Sequence, residues 1–254
     1  MPWDPSQYHK FTAARFAPFD DLFAMIEVRE GLQVVDLGCG TGELTRRLAD
    51  RLPGATVLGI DSSAAMLERA QGEACPGLTF TLGTIEAAQG EWDLVFSHAA
   101  LHWVGDHRAL IPRLMGLVRP GGQLAVQVPA NHRHPAHTAI ADIAGEKPFV
   151  DALGGWVRLS PVLEIDAYAE LLFAAGGEEI AVLEKVYPAL MPEAADIAEW
   201  TRGTTLVPYF ERLPVELHEP FMSRYRERLR AMWPQGPVFY TFRRILFAAT
   251  KPGP

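Results

Sequence analysis

The stretch from Val34 to Thr45 constrains the fold more than any other part of the chain. It reads Val-Val-Asp-Leu-Gly-Cys-Gly-Thr-Gly-Glu-Leu-Thr, with glycines at positions 38, 40 and 42. A β-branched apolar run, a glycine turn and leucines at helical spacing predict a strand, a tight turn and a helix. In α/β folds this arrangement holds a nucleotide-like ligand at the carboxyl edge of a parallel sheet.

The spacing of the glycines favours a ligand without phosphates. The dinucleotide fingerprint requires glycine or alanine where this chain has Glu43, and the third glycine comes one residue early, at Gly42. Glu43 at the start of the helix would repel a pyrophosphate, whereas Asp36 offers a carboxylate to a cationic group. S-adenosylmethionine fits this turn, because it lacks phosphate and carries an α-amino group and a sulfonium. The alternative, a nicotinamide dehydrogenase, conflicts with the glycine spacing.

Composition limits the class of protein. A chain of 254 residues with 48% hydrophobic content is long enough for one large domain or a domain with an insert. A net charge of -8 disfavours nucleic acid as the main partner. The two cysteines form no plausible disulfide framework, the N-terminus lacks a signal-peptide pattern, and no apolar run is long enough to span a membrane. We therefore expect a soluble, cytoplasmic protein without a membrane or nucleic-acid partner.

Strands alternating with helical segments between residues 32 and 128 predict a doubly wound parallel sheet. Within the N-terminal segment, residues 1–29, the pattern predicts a helix from Ser6 onward with a break at Pro18. The tetrapeptide Arg119-Pro120-Gly121-Gly122 predicts a turn. The predicted strands are Leu32–Leu37, Thr56–Ile60, Leu78–Leu82, Asp93–Ser97, Gln123–Val128, Glu178–Tyr187 and Val238–Ala249.

Several polar side chains follow predicted strands. Asp61 lies about 20 residues after the glycine turn, where a carboxylate accepts ribose hydroxyls, although it is also suited to capping the next helix. His98 and His102 follow the fourth strand and are candidates for a general base; the competing interpretation is that they are hydrogen-bond donors or packing residues. The group His132, His134 and His137 has no cysteine or acidic ligand at suitable spacing, so no metal site is predicted.

Three blocks resemble the signatures of class I S-adenosylmethionine-dependent methyltransferases: Val34–Thr45, Gly59–Ser63 and Arg119–Gly122. Further blocks are similar to the trans-aconitate 2-methyltransferase family over nearly the whole chain. These are Trp3–Tyr8 with Phe11 and Arg15, Leu101–Trp103 with Asp106 and His107, Ala125–Pro129 with Asn131, and Met191-Pro192 followed by Trp200.

This resemblance implies an enzyme that transfers a methyl group from S-adenosyl-L-methionine to a carboxylate oxygen of a small organic acid such as trans-aconitate, leaving S-adenosyl-L-homocysteine. The implied fold is a Rossmann-like, doubly wound, seven-stranded, mostly parallel sheet with an antiparallel edge strand, Val238–Ala249, and a helical cap. We expect one domain over residues 1–254, as a monomer or weak homo-oligomer. Its core would be about 30–130, 160–188 and 236–252, and its cap about 1–29, 131–159 and 189–235.

The resemblance also implies which residues bind the cofactor. Its methionine part would contact Asp36, Gly38 and Gly40; its ribose Asp61 and Ser62; and its adenine Thr84 and Ile85. Cys39 and Ser97 are further cofactor-binding candidates, and Ser97 would face the methionine part or the substrate. His98 and His102 would face the methionine part or the substrate. Candidates for substrate contact are Tyr8, Arg15, Trp103, Asn131, Arg133 and Arg202.

The chain departs from the family pattern at three positions. Thr84 replaces the usual aspartate beside adenine, and His98 often corresponds to asparagine. Val207 replaces the arginine of a Gly-x-x-Leu-Arg-Pro block, an arginine suited to clamping a carboxylate. The clamp would then come from another arginine, or the acid would be less anionic. Two alternatives remain: a methyltransferase acting on a hydroxyl, carbon or carrier-bound acyl acceptor, and a non-enzymatic S-adenosylmethionine-binding module.

Overall fold

The structure is a computed structural model in which residues 12–253 are described, with side chains from Phe16 onward. The predicted contacts of Trp3, Tyr8 and Phe11, and of the Arg15 side chain, lie outside the described residues. The strands are β1 (Gln33–Leu37), β2 (Thr56–Asp61), β3 (Leu78–Leu82), β4 (Trp92–His98), β5 (Val118–Pro129), β6 (Glu178–Met191) and β7 (Val238–Thr250).

The strands form one sheet in the order β3-β2-β1-β4-β5-β7-β6, which confirms the predicted seven-stranded, mostly parallel sheet. The first five strands pair in parallel, and β7 pairs antiparallel to β5. The expectation that β7 is the edge strand is wrong, because β6 occupies the edge and β7 lies between β5 and β6. Strand order depends on pairings between distant segments, which hydrophobic periodicity does not encode.

The helices between the strands cover both sheet faces. On one face, Phe19 packs edge-on against Phe96 of β4, within a core cluster that includes Leu48. On the other face, Tyr168 stacks on Phe247 of β7 at 4.6 Å. The α-helices are α1 (Thr12–Phe23), α2 (Glu43–Arg51), α3 (Ala64–Ala70), α4 (His107–Gly116), α5 (Pro135–Ala144), α6 (Phe149–Ala152), α7 (Ile165–Ala174), α8 (Ala194–Arg202), α9 (Val207–Phe210) and α10 (His218–Met232).

Two local expectations are wrong for identifiable reasons. Helix α1 continues through Pro18, although proline removes one backbone hydrogen bond. Phe19 and Leu22 follow it with no exposed surface, and their burial against the sheet stabilises the helix. The segment Arg119–Gly122 is a bulge inside β5 and not a turn before it: along β4 the register runs from Trp92 to Leu94, while along β5 it runs from Val118 to Gln123.

The chain divides into two compact units. The sheet unit comprises residues 16–129, 161–185 and 244–253 of the described chain. It includes residues 16–29, which the sequence analysis assigned to the cap, because Phe19, Leu22 and Ile26 are buried in the core cluster beside the sheet. None of the described helices is long and apolar enough to cross a membrane.

The second unit, here called the helical unit, comprises residues 12–15, 130–160 and 186–243 of the described chain. Its core is built mainly from α5, α8 and α10, which contribute Ile140, Ile197 and Phe221 among other buried side chains. Segment 131–137 contains a 3-10 turn (Asn131–Arg133) and the start of α5, which the His134 side chain caps by accepting a hydrogen bond from the Ala136 N–H.

Candidate functional site

The glycine turn between β1 and α2 is fixed to the end of β2. The Gly38 and Cys39 N–H groups both donate to the carbonyl of Ile60, at 2.8 and 3.0 Å. The Gly40 N–H donates to Oδ2 of Asp61 at 2.8 Å. The backbone of the turn is therefore held in place by groups of the protein itself.

Gly38 and Gly40 have left-handed backbone conformations, with φ of 82° and 56°, but different surroundings. A Cβ added at Gly38 would overlap the Cβ of Ala100. A Cβ added at Gly40 would meet nothing within 4 Å. Glycine at 38 therefore allows close packing inside the protein, whereas glycine at 40 leaves open space beside the turn.

Asp36, the last residue but one of β1, has a buried carboxyl group that is only half satisfied. Its Oδ2 accepts a 2.6 Å hydrogen bond from the Thr45 hydroxyl, and its Oδ1 has no hydrogen-bond partner within residues 12–253. Burial raises its pKa to about 7; the Thr45 hydrogen bond opposes this rise, and the nearby Asp61 charge adds to it. A cationic ligand group beside Oδ1 would favour the ionised form.

Asp61 ends β2 and its carboxylate joins two loops. Oδ1 accepts from the Ser63 N–H at 2.8 Å, while Oδ2 holds Gly40 as described above. The helix cap proper is Ser63, whose hydroxyl accepts from the Met66 N–H. Each carboxylate oxygen has a second lone pair, so Asp61 retains capacity for ribose hydroxyls. Ser62 is exposed between these two residues.

The loop after β3 is anchored at the same place. The Gly83 N–H donates to the Asp61 carbonyl at 3.0 Å. The Thr84 hydroxyl accepts from the Ala87 N–H, and the Thr84 residue is exposed, whereas Ile85 is buried. The residues predicted for ribose and adenine thus lie on loops that share hydrogen bonds with Asp61.

The end of β4 brings further predicted residues to this edge of the sheet. Ser97 is fully buried and its hydroxyl donates to the Leu37 carbonyl at 2.7 Å, so it links β4 to the end of β1. The His98 ring meets the Phe19 ring edge-on, with centroids 6.0 Å apart. His102 packs against Trp103 at 4.7 Å, and Trp103 is half exposed.

Cys39, inside the turn, has a buried side chain that packs in a small cluster with Leu67 and Ala70. Burial strongly raises the pKa of its thiol, and the Asp36 and Asp61 charges raise it further. Its side chain is therefore a neutral packing group at physiological pH. A cofactor contact by Cys39 would involve its backbone.

The remaining predicted residues belong to the helical unit. Asn131 is buried and holds β7: its amide donates to the Thr241 carbonyl at 2.9 Å and accepts from the Arg243 N–H at 2.7 Å. This geometry gives Asn131 a structural role. Arg133 is exposed, and Arg202 lies 3.9 Å from a Glu199 oxygen at the end of α8.

His134 and His137, at and just after the start of α5, contribute to the packing of the helical unit. His134 stacks on Trp233 and packs against Tyr240, and burial lowers its pKa. His137 shares a 2.9 Å hydrogen bond with the Tyr240 hydroxyl. Within residues 12–253, no cluster of three or more histidine, cysteine or acidic side chains has the geometry of a metal site.

The sheet-unit residues fit the cofactor that the sequence resemblance implies. Asp36 offers an unused, buried carboxylate oxygen, suited to an α-amino group, and Gly40 leaves open space beside the glycine turn. Sequence reasoning missed two polar residues of this region, Thr45 and Gln127. The available signals were a threonine on the buried side of α2 and a glutamine within an otherwise apolar strand.

Comparisons with known proteins agree with this geometry. A family profile described as a methyltransferase domain matches residues 34–122. A Deinococcus radiodurans protein named trans-aconitate 2-methyltransferase is 50% identical over 99% of this chain and 99% of its own length. A Variovorax paradoxus protein of the same name is 38% identical over the same shares. The YcgJ protein from Bacillus subtilis has a similar fold, with a TM-score of 0.62 at 15% identity over 94% of this chain and 100% of that chain.

Proposed function

This chain belongs to the trans-aconitate 2-methyltransferase family, and from that premise we propose that it methylates a carboxylate oxygen of trans-aconitate or a closely similar acid. Membership makes the chain an S-adenosylmethionine-dependent methyltransferase. The choice of acceptor is supported by relatives of that name that match this chain from end to end.

The cofactor assignment rests mainly on one observation: Oδ1 of Asp36 is buried and has no hydrogen-bond partner among the described residues. A buried carboxylate oxygen without a partner among the described residues is costly, unless a ligand satisfies it. An ammonium group at this oxygen would supply the missing hydrogen bond and the opposite charge. Asp36 would then bind the amino group and Asp61 the ribose hydroxyls. Gly40 would allow the cofactor to approach the backbone of the turn, because it has no side chain.

The proposed chemistry makes modest demands on the protein. S-adenosylmethionine supplies an electrophilic methyl group on a sulfonium. A carboxylate acceptor is already ionised at neutral pH, so no strong base is needed. The protein residues then act by orienting the two reactants and by excluding water. The half-satisfied Asp36 and the fixed turn suit this role, because they hold one reactant in a set position.

The arginine that recognises the spectator carboxylates of the acid is proposed to be Arg15, Arg133 or Arg202. Position 207, where the family pattern has arginine, is a half-buried valine at the start of α9. Arg202 is only loosely tied: Glu199, 3.9 Å from it, makes a closer 2.6 Å contact with Arg226. At 3.9 Å the Arg202 contact is too long for a hydrogen bond, so the guanidinium keeps donors for a carboxylate.

The alternative is a hydroxyl or carbon acceptor, favoured by one observation. His98 is the last residue of β4 and His102 lies just after that strand; both are half-buried, and β4 pairs with the strand that carries Asp36. A histidine there is suited to remove a proton from an acceptor that is not already ionised. Such an enzyme would lose activity as the histidine becomes protonated, and His98→Ala would abolish that pH dependence.

The test is methyl transfer from isotope-labelled S-adenosylmethionine to trans-aconitate, cis-aconitate, citrate and a panel of hydroxyl acceptors. We expect label in a base-labile methyl ester of trans-aconitate, and none with Asp36→Ala. Label that appears only in base-stable products would contradict the carboxylate assignment.

A second experiment identifies the clamp. Arg15→Gln, Arg133→Gln and Arg202→Gln are compared with Arg46→Gln, which removes an exposed ion pair with Asp50 on α2. We expect one of the first three to raise KM for the acid at least tenfold, with unchanged affinity for S-adenosylhomocysteine. If all three behave like Arg46→Gln, none of these arginines is the clamp.

A further inference from the structure

The Gln127 side chain, near the end of β5, is a buried polar group with no part in the proposed cofactor site or arginine clamp. It has no exposed surface, and neither its Oε1 nor its Nε2 has a hydrogen-bond partner among the described residues. A buried amide normally satisfies both atoms, because leaving them unpaired destabilises the fold. Such a group calls for an explanation by a ligand or by trapped water.

A second glutamine on the same strand shows what a satisfied amide looks like here. Gln123 lies four positions earlier in β5, on the same face of the strand. Its Oε1 accepts a 2.8 Å hydrogen bond from the Glu27 N–H. Gln123 therefore has a structural role, whereas the Gln127 amide makes no such hydrogen bond to the described residues.

The pairing of the strands places Gln127 beside His98, a residue expected to face the methionine part of the cofactor or the substrate. Gln127 of β5 pairs in parallel with His98 of β4. Two positions earlier on these strands, Ala125 pairs with Phe96, and Phe96 also pairs with Asp36 of β1. Paired residues of a sheet point to the same face. Gln127, His98 and Asp36 therefore lie on one face of the sheet unit, with Gln127 and His98 one step nearer the carboxyl edge than Asp36.

We propose that the Gln127 amide binds the carboxyl group that accepts the methyl, with Nε2 donating a hydrogen bond to the carboxylate oxygen that is not methylated. This inference rests on the proposed function. The amide and the unused oxygen of Asp36 are both closed to solvent, so substrate enters by a local opening at this edge.

A neutral donor suits the reacting carboxylate better than an arginine does. A guanidinium at the reacting group would stabilise its negative charge in the ground state and reduce its nucleophilicity. An amide orients the group with a weaker, directional hydrogen bond. In this proposal, an arginine binds the spectator carboxylates, and Gln127 binds the carboxylate that accepts the methyl group.

The test compares Gln127→Leu with Gln123→Leu. Gln127→Leu removes an unpaired amide at similar volume, so we expect an unchanged or higher melting temperature, S-adenosylhomocysteine affinity within twofold of the parent, and kcat/KM for the acid lowered about 10- to 100-fold. Gln123→Leu leaves the Glu27 N–H without its partner, so it should lower the melting temperature and leave kcat/KM within threefold. Gln127→Glu, which keeps the shape and adds a like charge, should impair the reaction more than Gln127→Leu.

Binding of trans-aconitate to the S-adenosylhomocysteine complex, measured by calorimetry, separates the two proposals. If the parent is active and the Gln127→Leu variant is equally active, the proposed role of Gln127 is wrong and the proposed function stands. The Gln127 amide would then bind only buried water. An inactive parent that binds the acid through Gln127 overturns the proposed reaction and supports the subsite. An inactive parent that does not bind the acid overturns both.

Discussion

At the scale of single residues, Asp36, which is proposed to bind the cofactor's amino group, opposes the stability of the ligand-free fold. Its carboxyl is buried, with one oxygen bonded to Thr45 and the other without a partner within the described chain. Its pKa of about 7 lies well above the ordinary value, so ionisation at physiological pH occurs at the expense of folding free energy. A cationic ligand removes that cost when it binds.

The first prediction concerns the pH dependence of cofactor binding. Asp36 is largely ionised above pH 7 and largely protonated below it, and only the ionised form attracts the cofactor's amino group. We expect S-adenosylmethionine affinity about tenfold weaker at pH 6 than at pH 7.5, measured by calorimetry. An affinity that is flat across this range in the parent would show that Asp36 does not face the ammonium.

The second prediction is that Asp36→Asn stabilises the cofactor-free protein. Between pH 4 and pH 7 the folded state binds a proton at Asp36 that the unfolded state releases, so this residue's contribution to stability falls as pH rises. The variant removes that loss and should raise the free energy of unfolding by about 2–4 kcal/mol at pH 8. Urea titration measures it. Asp50→Asn, at an exposed helix position, is the control and should change little.

At the scale of elements, the glycine turn is a rigid part of the sheet unit. Its N–H groups bond to the Ile60 carbonyl and to the Asp61 carboxylate, and Asp61 also holds Ser63. The end of β2 thus fixes the loops on both sides of it. A ligand meets a turn whose backbone order does not depend on binding.

The third prediction contrasts two glycines of this turn. Gly38→Ala forces a methyl group into Ala100 at a left-handed φ, and should lower the free energy of unfolding by about 3 kcal/mol or more. Gly40→Ala meets open space and should cost only about 1 kcal/mol of backbone strain. Thermal unfolding of the cofactor-free variants measures both.

Cofactor affinity provides the complementary readout. We expect Gly40→Ala to weaken S-adenosylmethionine binding at least tenfold, because the added methyl occupies space that the ligand would use. Equal affinities of Gly40→Ala and the parent would mean that the ligand does not approach the turn at Gly40.

At the scale of the whole molecule, each compact unit buries a histidine in its neutral form. In the sheet unit, His107 lies between the Tyr168 hydroxyl and the Leu101 carbonyl, and burial lowers its pKa. In the helical unit, burial likewise lowers the pKa of His134 beside Trp233. Unfolding exposes both to water, where they bind protons near pH 6.5.

The fourth prediction is a loss of stability on mild acidification through these histidines. Below pH 6.5 the unfolded chain binds more protons at His107 and His134 than the folded chain does, so their contribution is lost as pH falls toward 5. His134→Asn keeps a capping side chain without a titrating ring and should reduce the pH dependence. Because Asp36 acts in the opposite sense, each variant is compared with its parent at the same pH by urea titration.

Much of the sheet unit could be predicted from local sequence. The alternation of apolar runs and glycine or proline stops located all seven strands to within five residues at each end. The glycines from 38 to 42 correctly indicated a tight turn between a strand and a helix. The order of the strands in the sheet could not be predicted: β7 was expected at the edge but lies between β5 and β6. The continuation of α1 through Pro18 could not be predicted either. Both depend on burial against distant segments.

The site divides in the same way. Asp36 and Asp61 follow from motif spacing because their positions are set by the adjacent strand ends. The contact of Thr45 with Asp36 and the pairing of Gln127 with His98 arise only when separate elements meet. The hydrogen bonds that Asn131 makes to the Thr241 carbonyl and the Arg243 N–H could not be predicted either, since these partners lie on the distant strand β7.

The protonated thiol of Cys39 has a consequence for the durability of this catalyst. A thiolate is a far better nucleophile than a carboxylate, and a thiolate in this turn would compete for an electrophilic methyl group or react with oxidants. Burial against Leu67 and Ala70, together with the charges of Asp36 and Asp61, keeps the sulfur as an inert thiol. The same carboxylates that suit the turn to a cationic ligand thereby protect it from self-alkylation and oxidative damage.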